Sequence, residues 1–264
     1  MTETYEVLAL RYAYRDAKRQ DHFRDEVKDP EAPMPMDYFV WLLRSPERTI
    51  LLDTGFKPDV SARRKRTYVR SPSEGLRLAG MDPASISDIV ISHLHYDHAG
   101  TIDAFPNARL HLQADELDFV TTPKNRPTRG AFEVDDVNEV LRAMYADRVN
   151  LYHGSAQPWS GIEVHLIGGH TPGSQIVRVH TQRGWVVLAA DASHFYENMD
   201  SGNPFRGTYD VDQALAGFDT MRSLVASPEH VVPGHDPEVL KRYAAPSPAL
   251  QGIAVRLDQP PRSG

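Results

Sequence analysis

"ISHLHYDHAG", residues 91 to 100, places His93, His95, Asp97 and His98 within six positions, directly after the apolar run "DIVIS" of residues 88 to 92. One histidine in a polar loop needs no explanation. Three imidazoles and a carboxylate in one loop do, and metal binding is the use that combines these donors. The spacing divides them. His93 and His95 stand two apart, so an extended backbone aims both at one ion, whereas Asp97 and His98 are adjacent and point toward a second.

A metal loop at this position implies further ligands elsewhere, and several apolar segments end in candidates. "IEVHLI" (162–167) runs through Gly168 and Gly169 to His170, and "WVVLAA" (185–190) stops at Asp191. "HVV" (230–232) leads through Pro233 and Gly234 to His235, and "RTILL" (48–52) stops at Asp53. Strands of an α/β protein gather their carboxyl ends along one rim, where ligands collect. Glycines beside would-be ligands permit the sharp turns that aim a side chain. The expected partition is His93, His95 and His170 on one ion, and Asp97, His98 and His235 on the other, with Asp191 bridging through its two oxygens. Zinc suits such donors, and a hydroxide shared by ions ~3.5–4 Å apart would be a strong nucleophile near neutral pH.

The rest of the chain reads as mixed α/β. Strands are expected at 38–43, 48–53, 88–92, 108–113, 162–167, 175–181, 185–190 and 230–232, where Val, Ile and Leu dominate. Helices are expected over 71–80, which opens on Ser71-Pro72 and stops at Gly80, and over 134–148 and 210–225, where apolar residues recur at helical spacing. Asp16 to Pro35 is polar and proline-bearing and reads as a long loop. No linker or repeat divides residues 1–264, so a single domain is expected, with 257–264 as a disordered tail.

Composition narrows the function. With 41% hydrophobic residues the 264-residue chain can bury a large core, and a net charge of −7 argues against nucleic-acid binding. There are no cysteines, which removes disulfides, thiolate ligands and a thiol nucleophile. The N-terminal stretch lacks the pattern of a signal peptide and no apolar run is long enough to span a membrane, so a cytoplasmic protein without membrane or nucleic-acid partners is expected. The one basic run, "RRKR" at 63–66, is ordinarily a solvated face, though it could meet an anionic substrate.

"HLHYDHAG" resembles the H-x-H-x-D-H signature of the metallo-β-lactamase superfamily, and "DTG", "GGHTPGS", "AADASH" and "PGHD" resemble its other motifs in order. Within it the chain is most similar to the N-acyl homoserine lactonase group. The resemblance implies an αββα sandwich with a dinuclear zinc site at the sheet edge, and iron, manganese or cobalt could occupy the same donors. It implies a hydrolase that opens a lactone by attack of the bridging hydroxide, with Asp53 orienting a ligand histidine from behind. His95 stands where oxygen-reducing diiron members carry Glu, which favours hydrolysis. The absence of cysteine sets aside the β-lactamase classes with a Cys ligand. The acidic balance disfavours the nuclease branch, and glyoxalase II normally adds a basic helical region that is not evident here.

One position departs from the group's pattern. Lactonases of this kind usually carry Tyr three residues after the bridging Asp, and here that residue is His194, with Tyr196 two further on. Imidazole can donate a hydrogen bond or a proton, so the expected catalytic residues are Asp97, His194 and Tyr196. The departure keeps a second ring open: a pyridoxolactone-like lactone, or another cyclic ester or amide. A non-hydrolytic redox or binding role is the more distant alternative. The expected partner is the small-molecule substrate, with room for a homodimer. Phe23, Met34 and Met36 could wall an apolar pocket but are ordinary core residues too. His22, His111, His153, His165, His180 and His230 read as surface or satisfied core histidines.

Overall fold

A computed structural model describes residues 2–262, apart from the side chains of 125–127. Its strands are β1 (Glu6–Arg15), β2 (Met36–Arg44), β3 (Thr49–Leu52), β4 (Thr67–Tyr68), β5 (Asp88–Val90), β6 (Arg109–Gln113), β7 (Val149–Tyr152), β8 (Ala156–Trp159), β9 (Ile162–Leu166), β10 (Gln175–Thr181), β11 (Gly184–Leu188), β12 (Val231–Val232) and β13 (Ala254–Arg256). Its helices are α1 (Pro58–Arg63), α2 (Pro72–Leu78), α3 (Tyr96–Ala99), α4 (Ala114–Thr121), α5 (Val134–Tyr145), α6 (Tyr196–Ser201), α7 (Val211–Ser223) and α8 (Glu238–Arg242).

Two sheets result. The first has the order β13-β1-β2-β3-β5-β6-β7, with β4 paired to β1, and the second β12-β11-β10-β9-β8. Alternation along the strands explains why they stack. In β1 and β2, Val7, Ala9, Phe39, Trp41 and Leu43 face a core shared with Ile162, Val164, Val177 and Val186 of the second sheet. Their neighbours Leu8, Leu10, Tyr12, Val40 and Leu42 face the other way, into a core with Val60 of α1, Leu76 of α2, Phe119 of α4 and Val140 of α5. With both faces covered, eight of the nine β2 residues are buried, so the run reads as continuously apolar rather than alternating. Phe218 and Met221 of α7 and Val239 of α8 join the inter-sheet cluster. The αββα layering expected from the resemblance is the architecture observed.

Capping explains the best-read helix: Ser71 accepts the backbone N–H of Glu74, and Pro72 occupies the first turn. β1 was not expected, although it makes the longest pairing in the molecule, with β2, through a register shift between Arg11 and Ala13. The tail is also a correction. Leu257 and Asp258 are buried, Leu257 N–H donates to the Val7 carbonyl at 2.8 Å, and Arg262 N–H donates to the Arg242 carbonyl at 2.7 Å. β13 pairs with β1, and the chain after it is held by those two backbone bonds despite its prolines. Residues 263 and 264 lie outside the described residues. Among the described residues no helix is long and apolar enough to cross a membrane.

Candidate metal centre

β3 pairs in parallel with β5, and β11 with β12, so the carboxyl ends of these strands open toward one edge of the sandwich. Asp53 follows β3, the 93–98 loop follows β5, His170 follows β9, Asp191 follows β11 and His235 follows β12. Within the 93–98 segment the backbone is extended at His95 and turns helical from Tyr96. That switch lets Asp97 and His98 join His235 in a second group of donors, although the His98 ring stays 4.2 Å from that of His93. The loops are pressed together: a Cβ on Gly234 would stand 2.4 Å from the Ala190 carbonyl oxygen, so only glycine lets the His235 loop close on the Asp191 loop.

Side-chain donors of His93, His95, His170 and Asp191 converge within 4.8 Å of one another, as do those of Asp97, His98 and His235. Asp191 faces both groups. Its Oδ1 lies 3.1 Å from His98 Nε2 and 2.8 Å from His235 Nε2. Its Oδ2 lies 3.2 Å from His170 Nε2 and 3.7 Å from His93 Nε2. The structure therefore brings together all seven expected donors, in the expected two sets.

These residues fit a pair of divalent cations. The Nε2 atoms of His93 and His98 are buried and make no hydrogen bond, which a folded protein tolerates where a ligand completes them. Burial pushes the imidazoles of His93 and His170 well below the usual range and His95 to about 4, leaving their lone pairs free. Burial opposes charge at Asp191 too, but the surrounding His194, His98, His235 and His170 hold its carboxyl well below the ordinary value. At His98 burial is outweighed by Asp191, Asp53 and Asp97, and the ring is held strongly basic. The same concentration of negative charge favours a bound cation.

The ring orientations are set from behind. His98 Nδ1 donates to Asp53 Oδ2 at 2.7 Å, and Asp53 also accepts Ser92 N–H at 2.7 Å and Ser92 Oγ–H at 2.8 Å. His235 Nδ1 donates to the Asp37 carbonyl at 2.8 Å. With Nδ1 engaged behind it, each ring turns its Nε2 to the centre, the nitrogen that a bound cation would take in place of a proton. Asp53 has φ 62°, a conformation Asn also tolerates, so Asp53→Asn should leave the backbone in place. It is expected to weaken metal binding about 10- to 100-fold. Chelator competition measures this, and unchanged affinity would remove Asp53 from that role.

Glu116 was not anticipated. Its fully buried carboxylate accepts Leu94 N–H at 2.9 Å, Thr171 Oγ–H at 2.6 Å and Gly173 N–H at 3.2 Å, tying the His93–His95 segment to the His170 loop. Nothing in its own neighbourhood, "QADELDF", signals this; the partners are distant in sequence.

His194 and Tyr196 part company. His194 Nε2 lies 3.1 Å from Asp191 Oδ2, and its ring stacks on Phe205 with centroids 3.7 Å apart and an 8° tilt. It also forms a third group of potential ligands with Asp191 and His235. Tyr196 opens α6 and turns away, its ring beneath the Arg242 guanidinium at 3.8 Å and lining a separate cleft with Asp236 and Lys241. The expectation that Tyr196 lies beside the reacting atoms is corrected: the helix that starts there rotates it out of the centre. Phe23 and Met34 likewise line other clefts, whereas Met36 reaches the cavity above the metal cluster.

Behind His194, His22 packs on Phe195 with centroids 4.5 Å apart, and its Nε2 meets the Met34 carbonyl at 2.8 Å. Burial lowers its pKa from 6.5 to about 4. Between these values the unfolded chain binds a proton that the folded chain refuses, so this contribution to stability is complete above pH 6.5 and is lost as pH falls toward 4. Denaturant midpoints at pH 7, 6 and 5 should fall less steeply in His22→Gln; identical slopes would refute the assignment.

The cavity over the cluster has a volume of about 440 Å³, with His95, Asp97, His170, Asp191 and His194 on its floor. Comparison with known proteins places this geometry. Residues 34–235 match the family profile of the metallo-beta-lactamase superfamily. The chain is 28% identical over 220 residues to an N-acyl homoserine lactonase of Bacillus cereus, covering 75% of this chain and 82% of that one. It is 28% identical over 240 residues to the N-acyl homoserine lactonase AttM of Azorhizobium caulinodans, covering 80% and 84%. Among solved structures, a quorum-quenching N-acyl homoserine lactone lactonase superposes with a TM-score of 0.75 at 23% identity, over 90% of this chain and 94% of that one. An N-acyl homoserine lactone hydrolase with N-hexanoyl-L-homoserine bound at its catalytic metal centre gives 0.75 at 22% identity, over 91% and 96%. The chain belongs to the metallo-beta-lactamase superfamily.

Proposed function

We propose that this metal-dependent hydrolase is a dinuclear zinc lactonase, acting as one domain over residues 1–264 and opening rings of the N-acyl homoserine lactone type. The observation that carries the reading is Asp191, whose two oxygens face two separate donor sets at the floor of a cavity. The names of the relatives supply the ring: N-acyl homoserine lactonases at 28% identity.

His93, His95 and His170 would hold one zinc ion, Asp97, His98 and His235 the other, and Asp191 both. Bound there, the ions would supply an activated water and polarise the lactone carbonyl. The protein's own residues do the rest. Asp53 and the Asp37 carbonyl fix the tautomers of His98 and His235. Glu116 holds the two ligand-bearing loops in register. His194 keeps a proton between its Nε2 and Asp191 Oδ2, placed to reach the ring oxygen as the acyl–oxygen bond breaks. Water adds across that bond, giving a hydroxyl and a carboxylic acid that ionises, so the reaction releases acid.

The test is acid release from N-hexanoyl-homoserine lactone by zinc-loaded protein in weak buffer with a pH indicator. Turnover that depends on added metal supports the assignment. Absence of turnover on this and other lactones, with zinc bound, would reject it.

A further inference from the structure

Three arginines line the cavity over the metal cluster: Arg15 at the end of β1, and Arg64 and Arg66 from the "RRKR" run after α1. They differ in how their charge is met. Arg64 is neutralised by Glu133, donating from Nε at 3.0 Å and from its terminal nitrogen at 2.8 Å to one carboxylate oxygen, and its guanidinium lies 3.9 Å over the Tyr96 ring. Arg66 has no such partner. It donates Nε–H to the Tyr96 hydroxyl at 3.1 Å and a terminal N–H to the Arg64 carbonyl at 2.7 Å, both neutral acceptors. Arg15 has its Nε buried without a hydrogen bond. Among the described residues neither Arg15 nor Arg66 forms an ion pair. The two share one cavity wall with Tyr38.

Half-buried guanidiniums without a counter-ion are costly, and the cost rises when a ligand excludes water from them. Asp97 and Asp191 on the floor do not relieve it, because the reading above commits them to divalent cations. The cavity is then cationic in a chain whose net charge is −7. A neutral alkyl arm entering here would desolvate both cations and return nothing. A carboxylate would satisfy them with charge-assisted, planar hydrogen bonds.

We propose that the cavity selects a lactone carrying an anionic arm, its carboxylate held by Arg15 and Arg66 while the ring lies over the metal cluster. This rests on the lactone-opening reading and names its substrate class.

The experiment compares isosteric arms that differ only in charge: N-malonyl-, N-succinyl- and N-glutaryl-homoserine lactone against their terminal amides, with the zinc-loaded protein and with Arg15→Gln and Arg66→Gln. At least one acid should exceed its amide in kcat/KM by about tenfold or more, the scale of one charged hydrogen bond, with the preference residing in KM. Each variant should collapse that ratio toward unity. If amides are opened as well as acids, or the ratio survives both substitutions, the anionic arm is refuted while the lactonase stands. If no lactone is opened, calorimetric titration of zinc-loaded protein with N-succinyl-homoserine and its terminal amide decides the point separately. Tighter binding of the acid, lost in the arginine variants, upholds the anion site without the lactonase; equal binding overturns both.

Discussion

Asp191→Asn loses about a thousandfold or more in kcat/KM toward any substrate the protein turns over, the scale of removing a principal preorganised electrostatic partner. The reason is positional. Among the described residues no other side chain presents one oxygen to His98 and His235 and another to His170 and His194. An amide keeps the shape but withdraws the negative charge, and its NH2 group offers no lone pair to a cation or to an imidazole N–H such as that of His194. Metal content per chain, measured on the same sample, should fall below that of the unaltered protein. The protein invests in this residue: Ala190 before it is held at φ 43°, a strain of about 1–3 kcal/mol for a residue with a side chain. An Asp191→Asn protein with full metal content and undiminished turnover would sink the bridging role.

Stripping the metal with a chelator removes activity and also lowers the melting temperature, by about 5–10 °C. The estimate follows from about 2.7 kcal/mol for a ligand present at a hundredfold excess over its dissociation constant, and from ~2–4 °C per kcal/mol at this chain length. The ligands come from loops that follow four different strands of two sheets, so an ion bound among them resists their separation. Zinc added back should restore both quantities together. A melting temperature indifferent to chelator would show that the loops are held without metal, by contacts such as those of Glu116.

The donor set was legible because each of its motifs is local. "HLHYDHAG" carries four donors in one loop, and His170, Asp191 and His235 each follow an apolar strand with a turn residue or a small residue beside them. The strands of the buried interior were legible for a similar reason: β2 and β3 are covered on both faces and carry the unbroken apolar runs "YFVWLL" and "ILL". β1 escaped because its "EVLALRYAYR" mixes polar residues into the run, and its strand character comes from pairing β2 on one side and β13 on the other. The tail escaped because the backbone groups that hold it belong to Val7 and Arg242, far away in the chain.

Residue order was enough for the chemistry of the ligands and their division into two sets, which follow from side-chain type, short spacing and strand-end position, while the αββα layering came only through the resemblance. It could not say whether His194 or Tyr196 faces the centre, because that depends on where α6 begins to rotate the chain. Nor could it pick out Glu116, or pair Arg15 with Arg66 rather than with Arg64. Those assignments depend on which distant groups arrive within hydrogen-bond range, and whether a buried charge is met or left open is a property of the folded neighbourhood alone.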